Sequence, residues 1–294
     1  MSLAIAETDL DTGKMLPRLT RAMLRRYSGR SKLLFGIAII GLMVLVALFS
    51  HLIAPYNPVT LNLSATLRAP SGSHFFGTDE FGRDVFSRVL YGASLDLQIA
   101  AFGTFFCFLS GSLLGLIAGF FGKTVDTLIG RLIDVVIAFP AIVVIIALIS
   151  VLGVSLVNLY IGITVTGWTA YARLVRGETL KAKGLPYVQS ARALGYSWAR
   201  ILFRHVMPNV ITPAFIFLVT DMVGTILLVT SLSYLGLGPQ PPTPEWGAMI
   251  AEASPYMLHA WWIALFPGLA IMLTGVGLAL LGDGLADVLR PNSD

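Results

Sequence analysis

Six stretches of this chain are predominantly apolar for about 20 residues or more, at 33–53, 95–121, 125–151, 156–175, 211–235 and 261–281. Polar and proline- or glycine-bearing intervals separate them. Each stretch is long enough as a helix to cross a hydrocarbon layer of about 30 Å, so the pattern predicts an all-α polytopic membrane protein with six transmembrane helices. The first stretch, Leu33–Ile53, has no small-residue cleavage site after it and reads as a retained span. Residues 1–32 form a polar, basic tail before it, and 54–92 a long polar loop after it. The remaining five helices occupy 93–285, a unit that includes the polar interval 176–209, and 286–294 form a short tail.

Within the spans a few residues interrupt the pattern. Gly111, Gly115 and Gly119 recur every fourth residue and line one face of the second helix, which suits close packing of a neighbour more than a hinge. Arg131 and Asp134 are three apart and are expected to pair. Pro140 should kink the third helix, and Trp168 and Tyr171 suit an interfacial belt at the end of the fourth. Asp221 stands nearly alone inside the fifth span, where it either lines a translocation path or bonds a neighbouring helix.

The longest basic polar interval inside the apolar region is 184–209, GLPYVQSARALGYSWARILFRHVMPN. Pro186 fits a first helical position, Gly195 a left-handed residue past a helix end, Ser197 the cap of a second helix, and Pro208 its close. Projection places Val188, Ala191, Leu194, Trp198, Ile201 and Leu202 on one side and Gln189, Arg192, Arg200 and Arg204 on the other. That pattern fits either a helix lying at the membrane surface or a docking element for a protein partner.

Composition supports the membrane reading: 56% of the 294 residues are hydrophobic and 12% charged. The net charge of +4 comes from groups flanking the spans, which favours topology over nucleic-acid binding. With the amino terminus cytoplasmic, 17 of the 20 Lys/Arg lie on the cytoplasmic side, and Arg68, Arg83 and Arg88 alone lie opposite. Both termini and 184–209 are then cytoplasmic, and 54–92 and 236–259 face outward. Cys107 is the single cysteine, and His51, His74, His205 and His259 are too scattered for a metal site.

No chemistry of energy conversion is visible. Gly122-Lys123 has Ile117 where a phosphate loop needs its first glycine, so ATP, if used, is bound by another chain. Mid-membrane acids for ion coupling are nearly absent, which disfavours a stand-alone secondary carrier using Asp221. No HExxH, GxSxG or paired-aspartate arrangement argues for an enzyme.

Residues 189–208 resemble the EAA loop of ABC importer permeases. Gln189, Ser190 and Ala191 stand for EAA, Gly195 follows after three residues, and Met207 and Pro208 end the motif. Gln189 replaces the glutamate and His205 the isoleucine. FFGTDEFGRDVFSRVLYGAS at 75–94, GPQPPTPEWGAMI at 238–250, AWWIALFPGLAIMLT at 260–274 and LGDGLADVLRP at 281–291 resemble the C-type subunits of the dipeptide/oligopeptide/nickel permease family, with Ala286 where that family usually has a basic residue. The resemblance implies a type I ABC importer transmembrane domain that is not itself an enzyme and holds no cofactor, ATP and magnesium residing in partner subunits. It further implies a homologous B-type permease, two ABC ATPase subunits and an extracytoplasmic solute-binding protein as partners, with Gln189–Gly195 as the coupling helix. Peptide is the commonest substrate of such systems; nickel, glutathione and other small solutes are the alternatives.

Overall fold

The computed structural model describes residues 12–289, with side chains from residue 29 onward. Residues 1–11 and 290–294, and the side chains of 12–28 with their basic run, lie outside the described residues. The described chain is helical, and its one β feature is an isolated bridge between Thr78 and Asp84.

The first helix, α1 (Thr12–Ile53), begins well before the predicted span and includes much of the basic tail. α2 (Val85–Phe121) starts ten residues earlier than the apolar pattern implied, because Asp84 caps it: the carboxylate accepts from the backbone N–H and the hydroxyl of Ser87, both at 2.8 Å. α2 is the wall shared by two cores. Ile99, Cys107, Leu116 and Phe120 pack with α4 (Ala141–Leu152), α5 (Leu156–Lys183) and the start of α8 (Met207–Tyr234). Val85, Val89, Ala93 and Ala100 pack with α1, α9 (Trp246–Ala253) and α10 (Trp262–Leu289). The glycine stripe does what its spacing predicts: a Cβ at Gly115 would sit 2.4 Å from the carbonyl oxygen of Ala172, so α5 lies backbone to backbone on α2.

The third predicted span is broken. α3 (Lys123–Ile137) and α4 meet at 83°, far beyond the expected kink. Proline disfavours helical geometry in the residue before it and has no N–H to give, and Pro140 is extended, its carbonyl starting α4 afresh through Val143 N–H at 3.0 Å. Arg131 and Asp134 are both exposed, and no ion pair joins them; Asp126 of α3 instead holds Arg176 of α5, with Nη2 to Oδ2 at 2.7 Å. By length and apolarity, 29–53, 85–121, 198–234 and 262–289 qualify as membrane spans, and α3 with α4 would be a fifth. The 28 residues of α5 are long enough for a sixth, but Asn158, Thr166, Thr169 and Tyr171 dilute its hydropathy. Tyr171 is fully buried rather than interfacial, and Trp168 packs partly buried against Ile129, Ile133 and Ala172.

Candidate coupling segment and the opposite cap

The segment after α5 opens with α6 (Pro186–Ala193), Pro186 at its first turn. It stops in a two-bond reversal: Gly195 N–H donates to Arg192 O at 2.9 Å and Tyr196 N–H to Ala191 O at 3.2 Å, with Gly195 at φ +74°. The next turn, α7 (Trp198–Arg200), is capped by Ser197, whose hydroxyl accepts from Arg200 N–H. To this point the residues behave as their sequence predicts.

Beyond it they do not. Pro208 does not close the second helix; Trp198–Tyr234 runs as one 37-residue helix. The chain accommodates the proline by widening to π geometry over Ile201–Val206, where Met207 N–H reaches back five residues to Leu202 O. A wider turn spares the ring a clash with the preceding carbonyls, and Asn209 Nδ2 donates to His205 O at 2.7 Å. The predicted apolar face is also only partly buried. Val188, Ala191, Ile201 and Leu202 are, whereas Leu194 and Trp198 are 71% and 57% exposed, because the reversal at Gly195 breaks the helical projection.

The exposed side chains flanking the reversal lie against the end of α2. Arg192 lies over the ring of Phe120 at 5.5 Å and Trp198 meets Phe121 edge-on at 5.3 Å. Gln189 is exposed and donates to Gly184 O at 3.1 Å, and Ser190 is exposed beside it. With Leu185, Tyr187, Leu194 and Tyr196, these residues make a surface of mixed apolar and amide character at the reversal. His205, which breaks the motif, stacks on Tyr196 at 5.9 Å; its Nε2 is buried and unpartnered. Asp221, thirteen residues beyond Pro208 on α8, is half-buried and accepts from Tyr171 OH at 2.8 Å, so it has a helix partner on α5.

At the other end of α2, the loop 54–84 and the interval 236–261 fold onto each other around a buried ion network that sequence reading missed. Asp79 Oδ2 accepts from Arg83 Nε at 2.6 Å and Arg88 Nη1 at 2.7 Å, while Glu252 Oε2 of α9 accepts from Arg83 Nη2 at 3.0 Å and Arg88 Nη2 at 2.8 Å. Glu80 Oε1 takes Arg83 Nη2 at 3.2 Å. Burial, with the charges of Asp79 and Glu252 adding to it, holds the Glu80 carboxyl above its ordinary value against the pull of Arg83. Two indoles fasten the same layer, Trp246 Nε1 to Val89 O at 3.0 Å and Trp262 Nε1 to Thr78 O at 3.1 Å. Pairings across 157 to 184 positions leave no local signal in the sequence.

The sequence that builds these spans has known relatives. Residues 111–293 match the family model described as binding-protein-dependent transport system inner membrane component, and residues 19–70 match the N-terminal TM domain of oligopeptide transport permease C. The chain belongs to this family. It is 40% identical over 256 residues to the dipeptide transport system permease protein DppC of Alkalihalophilus pseudofirmus, covering 87% of this chain and 84% of that one. Identity is 39% with the probable D,D-dipeptide transport system permease protein DdpC of Escherichia coli K12, over 87% and 86%. With the glutathione transport system permease protein GsiD of Escherichia coli O6:K15:H31 it is 42%, over 91% and 88%. As a family member the chain is a multi-pass membrane permease subunit of an ABC importer, of the C type, with the type I transmembrane fold.

Proposed function

We propose that this subunit pairs with a distinct B-type permease to form the translocation path of a dipeptide importer. Two ATPase subunits with ATP and magnesium act on the cytoplasmic side, and a solute-binding protein delivers from outside. The exposed reversal around Gln189–Gly195 is the coupling helix. One observation carries this: the reversal is backed by α2 and runs without interruption into a 37-residue helix, so a push on it moves a span as a rigid unit. The 17-to-3 charge asymmetry supports a cytoplasmic reversal and termini, with the ion-network cap outside. Dipeptide rests on the relatives named for that substrate.

Affinity purification of this chain from its own membranes should bring down a second permease and ATPase chains. Isolation as a single chain that transports in liposomes without ATP would replace the proposal by a secondary carrier. Competition of labelled dipeptide uptake by glutathione addresses the second reading, which the 42% identity to a glutathione permease favours. Uptake of labelled glutathione by cells that take up no labelled dipeptide would move the assignment to it.

A further inference from the structure

Between α2, α5 and α8 lies an apolar cavity of about 200 Å³. Leu116, Val175 and Val210 form its buried floor, and Leu109 and Leu113, 45% and 41% exposed, its rim. Both α2 and Trp198–Tyr234 qualify as membrane spans, so the rim lies at hydrocarbon depth. An apolar cavity stays dry, and the occupant that suits it is apolar too. A helix with its side chains is about 10–12 Å across and does not enter a space of this size, whereas a single alkyl chain does.

One polar side chain lines it. Ser112 is 5% exposed and its hydroxyl has no partner, although a helical serine can donate to the carbonyl four residues back, as Ser110 does to Phe106 O at 2.7 Å. An unspent buried donor is costly, and an occupant carrying an acceptor would relieve it.

The side nearer the reversal is cationic. Met207 lines the cavity, and Arg204, three residues before it, is exposed and in no ion pair among the described residues. No acid occurs between Glu178 and Asp221, an interval that holds Arg192, Arg200 and Arg204. That excess attracts a net negative group over one that brings its own ammonium, and a guanidinium matches phosphate with paired donors. A cation, a lone hydroxyl and an apolar cavity are the complements of the phosphate, ester and chain of a glycerophospholipid.

We infer that this cavity binds an anionic phospholipid, one acyl chain on Leu116, Val175 and Val210, its ester carbonyl accepting from Ser112 Oγ and its phosphate on Arg204. The lipid comes from the cytoplasmic leaflet if the reversal lies inside as proposed; binding itself does not depend on that reading. Because Met207 N–H closes the π turn onto Leu202 O, the chain sits against the turn that joins the reversal to its span.

The complete importer, stripped of lipid in detergent and titrated with phosphatidylglycerol or phosphatidylcholine, is read by native mass spectrometry. Phosphatidylglycerol should be retained at least tenfold more tightly. Arg204→Gln should abolish that preference and Arg204→Lys keep part of it, while Ser112→Leu, which fills the cavity and removes the hydroxyl, should lose at least tenfold for both lipids. Equal retention of the two lipids by the unaltered importer would overturn the inference, as would unchanged phosphatidylglycerol binding in both Arg204→Gln and Ser112→Leu. Displacement of the lipid by an equal concentration of inorganic phosphate would reduce the site to a simple anion site and overturn it too. If Ser112→Leu reached the membrane but no longer brought down its second permease, the cavity would belong to the subunit interface instead. The lipid series on the unaltered protein decides even where a variant does not assemble, and loss of lipid binding leaves the importer assignment untouched, since the titration needs neither ATP nor solute.

Discussion

Replacing Gly195 isolates backbone conformation from bulk at the reversal proposed to couple the permease to its ATPases. The residue sits at φ +74°, and a Cβ built on it would meet nothing within 4 Å. Any side chain therefore fits by space, and the penalty comes from the left-handed region alone. That region costs an L-residue about 1–2 kcal/mol, less for asparagine and more for a β-branched residue. At about 1.4 kcal/mol per factor of ten, Gly195→Ala should lower the population of the intact reversal roughly 5- to 30-fold relative to glycine. Gly195→Val should lower it further and Gly195→Asn least. The assay is binding-protein-stimulated ATP hydrolysis by the reconstituted importer, with ATPase co-purification as the control for assembly. Activity should fall in the order Gly, Asn, Ala, Val. Because asparagine is larger than alanine, the reverse order, with Ala harmless and Asn damaging, would show that bulk against the ATPase sets the effect and would refute the backbone argument.

Substitutions at four further positions test the bundle and its cap. Gly115→Ala forces a Cβ to 2.4 Å from Ala172 O and should destabilise by about 1–3 kcal/mol, whereas Gly130→Ala, with nothing within 4 Å, should stabilise α3 by up to about 1 kcal/mol; thermal unfolding in detergent compares them. Glu252→Ala strips an acceptor from both Arg83 and Arg88 and should cost about 3–5 kcal/mol, with Glu252→Gln milder; equal melting points for all three proteins would discard the buried network as a fastener. Glu80 has its carboxyl raised above the unfolded value of 4.5, so its favourable contribution is present below that pH and is lost as pH rises through the folded value. Glu80→Gln should therefore stabilise at pH 7, and the gain should shrink towards pH 4; a gain that grew on acidification would contradict the sign.

What the sequence disclosed is what is encoded locally. Proline at the start of α6, glycine at its end and the serine cap after it are signals within ten residues, and each appears where its chemistry puts it. The glycine stripe of α2 was legible because a four-residue period is a helix face. The failures are tertiary or cooperative. Pro208 reads as a stop unless a π turn widens the helix before it, and nothing in ILFRHV announces one. Tyr171 reads as a belt residue until Asp221, fifty positions away, is seen to take its hydroxyl. Arg83 and Arg88 counted only as two external charges, although Glu252 binds both from 164 or more positions off. Eight residues of α2, 85–92, were left in a loop because apolarity, not the Asp84 cap, set the boundary.

The π turn bears most directly on how such a permease would couple. A helix stopped at Pro208 would leave the exposed reversal joined to its span by a flexible link, and motion of an ATPase would be absorbed there. Widening the turn instead lets the helix continue past the proline, the last bond before it running from Met207 N–H to Leu202 O. Ile201, Leu202 and Val206 remain buried in the core that contains Leu116, Phe120 and Val175, so the turn is clamped by α2 and α5. From Pro208 to Asp221 is roughly 20 Å along α8 at about 1.5 Å per residue, and at that depth the Tyr171 hydroxyl again ties α8 to α5. Two points of attachment on one unbroken helix make a lever: pressure at 194–198 must either tilt α8 about the clamp or strain the Tyr171–Asp221 bond. If the reversal couples as proposed, α8 moving against α5 as one piece, rather than a yielding joint at Pro208, is then the element that ATP binding would bias.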